Sequence, residues 1–146
     1  MEQTDQQILA LLSRDGRMSF TELGRQVGLS TSATQQRVRR LEKSGFITGY
    51  RADINAAKVG RALTAFIEIQ PLGAEQEDRA PELLASLPQI TSCYSVAGNA
   101  SYLCLAQVGS AEELDGLLNT IRRDLSVTTV TTIVLRTAFK HRPLVS

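Results

Sequence analysis

The sequence is poor in the residues that most often carry chemistry. Its 146 residues include no tryptophan, a single histidine and only two cysteines. The motifs G-x-S-x-G, H-E-x-x-H and G-x-x-x-x-G-K-[ST] are all missing. The one histidine, His141, has no partner motif near it, so a Cys-His dyad has no support. We therefore expect no enzymatic activity, no metal and no tightly bound cofactor.

Long hydrophobic runs are also lacking. No apolar stretch approaches the ~20 residues that a membrane-spanning helix needs. The first residues, MEQTDQQILALL, are acidic and polar rather than basic, which argues against a secretion signal. We expect a cytoplasmic protein with no membrane partner. In that setting Cys93 and Cys104 are expected to be buried, reduced thiols, with mutual pairing or metal binding as the alternatives.

Charge of one sign is missing from the chain as a whole, but not from one segment. Sixteen basic and fifteen acidic residues leave a formal net charge of +1, which predicts no class of partner. Between residues 32 and 44, however, Arg37, Arg39, Arg40 and Lys43 face only one acid, Glu42. This local net charge of +3 lies on about three turns of a predicted helix.

Two helices are predicted before that segment. Residues 4–14 carry an apolar stripe, and Thr4 with Gln7 has the spacing of a capping box. The same spacing recurs at Ser19 and Glu22, which predicts the start of a second helix.

The basic segment forms the third predicted helix. Gly28 suits the left-handed end of the second helix, Ser30 suits the N-cap of the third, and Gly45 suits its stop. Two helices joined by a short glycine-containing turn indicate a helix-turn-helix motif.

The third helix is predicted to bury little and to expose a polar face. At 100° per residue, Thr34, Val38 and Leu41 fall on one side. The opposite side carries Ser32, Gln36, Arg39, Arg40 and Lys43, with Gln35 and Arg37 on the flanks. Such side chains can bond base edges and phosphates in the major groove. The alternative is a solvated helix face in which Glu42 pairs with Arg39. The predicted DNA-binding residues are Ser30, Thr31, Ser32, Gln35, Gln36, Arg37, Arg39, Arg40 and Lys43.

The second half of the chain predicts a βαββαβ order. Pro81 suits the first turn of the first helix in this half, and Ser110 with Glu113 suits the start of the second. This order is typical of a ferredoxin-like antiparallel sheet with both helices on one face, so the fold class is α+β. The uncovered face has apolar candidates, which indicates contact with another subunit. The predicted parts are a (winged) helix-turn-helix domain at 1–46, a linker strand and turn at 47–60, and a ferredoxin-like domain at 61–146.

The whole chain resembles the Lrp/AsnC family of feast/famine regulators. The carrying motifs are a D-x-x-I-L helix, a D-G-R loop, a V-G-L-S turn and an R-L-E-x-x-G-x-I-x-G-Y exit, found here from Asp5 to Tyr50. Gly24 stands where the family usually has alanine. Later, YSVAGNASYLCL and VTTVTTIVL continue the resemblance.

The resemblance implies a transcriptional regulator without enzymatic activity. It implies homodimers, often assembled to octamers, that bind double-stranded DNA and an amino-acid effector between dimers. The family's effector loop, commonly G-x-x-D-Y, corresponds to residues 98–102, where Ser101 replaces the acid. The implied effector residues are Tyr94, Val96, Gly98, Asn99, Ala100, Ser101, Tyr102 and Thr132. An ordinary hairpin loop, with the tyrosines in the core or an interface, is the alternative. The main functional alternative is an architectural DNA-binding protein that ignores ligands.

Overall fold

The computed structural model describes residues 1–146, which group into two compact units. The first unit joins Met1–Asp53 to the C-terminal segment Ala138–Ser146, and the second is Ile54–Thr137. Residues 138–146, which the sequence assigns to the ferredoxin-like domain, cluster with the three helices, and Val145 packs against their apolar core.

Three helices make up the first unit: α1 (Gln3–Arg14), α2 (Phe20–Val27) and α3 (Thr31–Lys43). Their apolar stripes meet in one core, formed by Ile8, Leu9, Leu23, Val38 and Leu41. The small size of this core reflects how few apolar residues α3 contributes.

The ends of α2 agree with the sequence prediction. Ser19 accepts a hydrogen bond from the Glu22 backbone N–H, and Gly28 takes the left-handed conformation at φ 75°. The start of α1 differs from the prediction. Glu2 is its N-cap residue and forms no side-chain cap, so Thr4 lies inside the helix and caps nothing.

The connecting segment contains less regular structure than expected. Residues 46–53 form no strand, because no other segment of the chain pairs with them. A single 3₁₀ turn, Ala57–Val59, follows and ends at Gly60 with φ 79°.

The second unit has the predicted βαββαβ order. Its elements are β1 (Leu63–Pro71), α4 (Ala74–Ser86), β2 (Ile90–Ser95), β3 (Tyr102–Val108), α5 (Ala111–Leu125) and β4 (Val127–Ile133). The sheet order is β2-β3-β1-β4, with every neighbouring pair antiparallel. This is the ferredoxin-like arrangement, and the predicted fold class is confirmed.

Helices α4 and α5 cover one face of the sheet. Residues at alternate positions of β1 and β3 point to them, including Ile67, Ile69 and Cys104, and all three are fully buried. From α5, Leu117 and Ile121 complete the same core. Ser110 caps α5 by accepting from the Glu113 N–H at 3.1 Å, as predicted.

Two details of this unit contradict the sequence predictions. Helix α4 begins at Ala74, so Pro81 lies inside it rather than in its first turn. Cys104 is buried, but Cys93 is exposed because its strand, β2, is the edge of the sheet.

The other face of the sheet has no helix over it. Phe66, Tyr94 and Val130 lie on this open face with 41%, 59% and 60% of their surfaces exposed. Leu103 and Leu105 lie between them as cross-strand neighbours and are half-buried. No helix of either unit combines the length and the apolarity that crossing a bilayer requires.

Candidate DNA-binding helix and effector loop

The turn before α3 fixes where the helix begins. The Ser30 hydroxyl accepts the Ala33 N–H at 3.2 Å, and the Thr34 hydroxyl donates to the Ser30 carbonyl at 2.8 Å. The backbone of α2 passes very close at Gly24, where a Cβ atom would lie 2.6 Å from the Leu29 carbonyl oxygen. The helix-turn-helix is therefore locked by one cap and one close backbone approach.

The faces of α3 divide as predicted. Thr34, Val38 and Leu41 are buried with at most 2% exposure. Gln35 and Arg37 are half-buried. The remaining predicted DNA-binding residues are exposed: Ser30, Thr31, Ser32, Gln36, Arg39, Arg40 and Lys43.

The four cations of α3 are not equivalent. The Arg37 guanidinium donates to Asp5 at 2.9 Å and to Glu2 at 2.8 Å, both from the neighbourhood of α1. These hydrogen bonds, first the one that Asp5 accepts and then the one that Glu2 accepts, raise the pKa of Arg37. Arg40 has a looser contact with Asp5 at 3.7 Å. Arg39 and Lys43 form no ion pair and are free to meet phosphates or base edges.

The solvated-face alternative has Glu42 paired with Arg39, and the structure contains no such pair. The Glu42 carboxylate accepts a hydrogen bond from the Tyr50 hydroxyl at 2.8 Å. Burial, and then this bond, raise the pKa of Tyr50 to about 12. The single acid of α3 is thus turned away from Arg39 and towards the chain leaving the motif.

Asp5 is a residue whose role the sequence analysis missed. It is 8% exposed and holds Arg37 against α1. A signal was present, since Asp5 precedes Ile8 by three residues and therefore lies on the apolar stripe of its helix. A carboxylate on such a stripe needs a buried partner.

The predicted effector loop connects β2 to β3. The Val96 N–H donates to the Ser101 carbonyl, and the Ser101 N–H donates to the Ile69 carbonyl, both at 3.0 Å. Gly98 and Asn99 are exposed, whereas Ala100 and Ser101 are half-buried. The Ser101 backbone therefore holds the loop against β1, and this hydrogen bond does not depend on the Ser101 side chain.

The eight predicted effector residues do not form one pocket within the chain. Tyr94 lies on the open face of β2, whereas Tyr102 lies on the helix-covered face, paired with Ile69 of β1. Thr132 is on β4, at the opposite edge of the sheet from β2. The structure keeps the loop residues together but places its two flanking tyrosines on opposite faces of the sheet.

A cavity of about 440 Å³ lies beside the loop, between α4 and β2. It is lined by Pro81, Leu84, Cys93, Ser95 and Tyr102, among others. The Tyr102 hydroxyl donates to the Glu77 carbonyl of α4 at 3.1 Å, and burial raises the pKa of this phenol. Nowhere in the chain do three or more His, Cys, Asp or Glu side chains gather as metal ligands.

Comparison with known proteins also divides the chain in two, although the second match includes residues 138–144, which cluster with the first unit. Residues 1–42 match the AsnC-type helix-turn-helix domain, and residues 64–144 match the Lrp/AsnC ligand binding domain. A helix-turn-helix joined to a ligand-binding sheet domain defines a ligand-linked DNA-binding regulator as a class. The chain belongs to the Lrp/AsnC family, and it is a transcriptional regulator.

Relatives match it over two thirds of their length or more. HTH-type transcriptional regulator LrpA of Mycobacterium tuberculosis is 44% identical over 142 residues, which cover 97% of this chain and 95% of LrpA. The leucine-responsive regulatory protein of Escherichia coli is 38% identical over 113 residues, covering 74% and 67%. A feast or famine regulatory protein from M. tuberculosis, solved in complex with L-methionine, superposes with TM-score 0.93 at 43% identity, covering 99% of both chains.

Proposed function

We propose that this regulator binds operator DNA with the exposed face of α3 and that an amino acid changes its binding. The observation that supports DNA reading is the division of cations on α3. Arg39 and Lys43 are exposed and unpaired, while Arg37 is tied to α1. We assign base reading to the N-terminal half, at Ser32 and Gln36, and phosphate contact to the cations that follow.

The helix-turn-helix occupies residues 1–46 in this proposal, with the ferredoxin-like domain serving assembly and effector binding. Two recognition helices are needed because one exposes too few readers for useful specificity. A dimer would present two, spaced to meet successive major grooves about 34 Å apart. The open sheet face, with Phe66 and Val130, has the apolar character of a homodimer interface. Assembly of dimers to an octamer would multiply the contacts with DNA.

The effector proposal rests on the solved L-methionine complex of a 43% identical relative. The loop 96–101 and Thr132 lie too far apart in the sheet order to enclose one ligand in a single chain. A site completed by a second copy would bring such residues together. The chain has no proposed catalytic role. Because its family regulates bacterial and archaeal genes, we place it in the cytoplasm.

The test is a DNA-binding titration with the full-length protein on DNA from upstream of its own gene. The titration is repeated with L-methionine and then with a panel of other amino acids, and light scattering gives the mass of the free protein. We expect a specific complex whose affinity changes with one amino acid, and a mass at least twice 15.9 kDa. Binding that ignores every amino acid would favour the architectural alternative. No binding at low salt would contradict the proposal itself.

A further inference from the structure

The two cysteines are direct neighbours across the β2–β3 ladder. Cys93 pairs with Cys104 in the antiparallel register, so their side chains leave the same face of the sheet. That face is the one covered by α4 and α5, because Cys104 belongs to the core between them. The thiols therefore face each other away from the open face that we propose for the dimer.

The hydrogen-bond pattern shows that this pair is of the close kind. Opposite residues in an antiparallel ladder alternate between hydrogen-bonded pairs and closer, non-hydrogen-bonded pairs. The Val96 N–H donates to the Ser101 carbonyl, which makes 96/101 a hydrogen-bonded pair. Counting three positions along the same register makes 93/104 a non-hydrogen-bonded pair.

The other end of the ladder gives the same result. The Gln107 N–H donates to the Gln89 carbonyl, which makes 89/107 a hydrogen-bonded pair. The irregularity between Ile90 and Ser92 adds one residue to β2 only, so the alternation is counted along β3. Three positions from Gln107 to Cys104 again make 93/104 a non-hydrogen-bonded pair. Non-hydrogen-bonded pairs have Cα atoms about 4.5 Å apart, at the short end of the range that a disulfide spans. The register therefore places the two cysteines within the Cα separation at which a disulfide forms.

The two thiols differ in access. Cys93 is exposed on the edge strand and lines the cavity beside α4, whereas Cys104 is fully buried. Burial first, and then the neighbouring Cys93, raise the pKa of the Cys104 thiol to about 12. An oxidant from solvent therefore reacts first with Cys93, and the buried Cys104 thiol beside it remains protonated.

We propose that Cys93 and Cys104 form a peroxide-sensitive dithiol that closes to an intrachain disulfide. The Cys93 thiol gives up its proton and its sulfur attacks a hydroperoxide. An S–O bond forms, the O–O bond breaks, and the leaving oxygen takes that proton, so that one water leaves when the peroxide is hydrogen peroxide. The Cys104 sulfur then attacks the sulfenic sulfur. An S–S bond forms, the S–O bond breaks, and the departing hydroxide takes the Cys104 proton as a second water. Two thiols lose two electrons and two protons, and one peroxide becomes two waters.

The location predicts a reversible bond. A disulfide across a close pair on an edge strand spans a small Cα separation and is accessible to reductants in solvent. Such disulfides are reduced more readily than buried structural ones. The bond would staple β2 to β3 directly beside the loop 96–101. Amide hydrogen exchange of residues 90–95 should then slow, because an edge strand opens more easily than the strands inside a sheet.

The experiment treats the full-length protein with hydrogen peroxide under native conditions. Accessible thiols are counted under native conditions and total thiols after denaturation. The chain is then mapped by peptide mass spectrometry without reduction. Trypsin leaves both cysteines on one peptide, 80–122, so chymotrypsin is used to cut after Tyr94 and Tyr102. We expect free thiols to fall from two to zero per chain, a Cys93–Cys104 peptide pair, monomer mobility on a non-reducing denaturing gel, and full recovery with a thiol reductant.

Two variants separate the steps. Cys93→Ser changes an exposed position and should keep its one thiol through the same treatment. Cys104→Ser should instead accumulate a sulfenic acid at Cys93, which dimedone traps. Sulfinic acid at Cys93 with Cys104 still free, or a disulfide joining two chains, would overturn the proposal. The mapping of the unmodified chain decides this even if Cys104→Ser fails to fold.

Discussion

The Tyr102 hydroxyl donates to the Glu77 carbonyl oxygen at 3.1 Å, and Pro81 is the reason that this oxygen is free. A residue at position 81 of a regular helix would donate its N–H to the carbonyl of residue 77, but proline has no N–H. The phenol that follows the β2–β3 loop therefore replaces a missing helix hydrogen bond. It also fixes the start of β3 to α4.

This relationship predicts a coupling between the two side chains. Tyr102→Phe should lower the free energy of unfolding by about 1 kcal/mol, because it leaves the Glu77 carbonyl without its donor. In a Pro81→Ala background the alanine N–H can take that role, and the same change should cost clearly less. Urea unfolding of the four proteins in this cycle measures the coupling. Equal costs in both backgrounds would show that the carbonyl is satisfied in another way.

The arginines of α3 offer a matched pair for separating stability from DNA binding. Arg37→Ala should lower the melting temperature by several degrees, because it leaves the buried Asp5 with only the looser contact to Arg40. Arg39→Ala removes an exposed, unpaired cation, so it should leave the melting temperature unchanged and weaken DNA binding. Thermal unfolding and DNA titration of both variants make the comparison. A stability loss from Arg39→Ala would contradict the division of roles.

Base reading by α3 predicts a difference between operator and random DNA. Gln36→Ala should weaken operator binding more than random-DNA binding, because glutamine bonds base edges. Lys43→Ala should weaken both alike and reduce the salt dependence of binding, as expected for one phosphate contact. Titrations on both DNAs at several salt concentrations distinguish them. If Gln36→Ala reduced both affinities equally, its side chain would be touching only the backbone of the DNA.

Gly24 is predicted to be required in this chain although it lies inside a helix. A Cβ atom there would lie 2.6 Å from the Leu29 carbonyl and 2.7 Å from the Thr34 hydroxyl, so Gly24→Ala should destabilise by about 1–3 kcal/mol. Gly116 of α5 has nothing within 4 Å of its added Cβ, and Gly116→Ala should stabilise by up to about 1 kcal/mol. Urea unfolding compares the two. If both variants had a higher free energy of unfolding, the turn before α3 would be able to shift and accommodate the added methyl group at little cost.

The Tyr50–Glu42 hydrogen bond predicts an alkaline transition. The pKa of Tyr50 in the folded chain is raised above the usual 10.0 to about 12, so folding favours the neutral phenol. Its stabilising contribution is therefore complete below about pH 10 and is lost as the pH rises towards 12. Ultraviolet titration should show a tyrosine that ionises near pH 12 and that disappears in Tyr50→Phe. Glu42→Gln should lower that pKa, since it removes the negative charge beside the phenol while burial remains.

Local chemistry explains which parts of the structure were predictable from sequence. Ser19, Ser30 and Ser110 cap their helices as expected, since each cap depends only on residues two or three positions away. The prediction for Pro81 is wrong because the cost of a proline inside a helix, the hydrogen bond missing at the carbonyl four residues earlier, is partly offset here by a donor from another element. That donor, Tyr102, is far along the chain and could not be seen locally.

The candidate sites show the same limit. The buried and exposed faces of α3 followed from helical periodicity, because every relevant residue is on one element. The tie between Arg37 and Asp5 joins two helices, and sequence alone assigned Arg37 the same freedom as Arg39. The exposure of Cys93 also escaped prediction, since it depends on β2 being the edge strand.

The first unit is built from both ends of the described chain, with the whole ferredoxin-like unit inserted between Asp53 and Ala138. While that insert is folded, it holds the segment bearing Val145 at high effective concentration near the three helices. When the insert unfolds, the same segment hangs on a long flexible chain, and its return costs loop-closure entropy. Anything that stabilises the inserted unit thereby also raises the thermal resistance of the DNA-reading helices, without touching them.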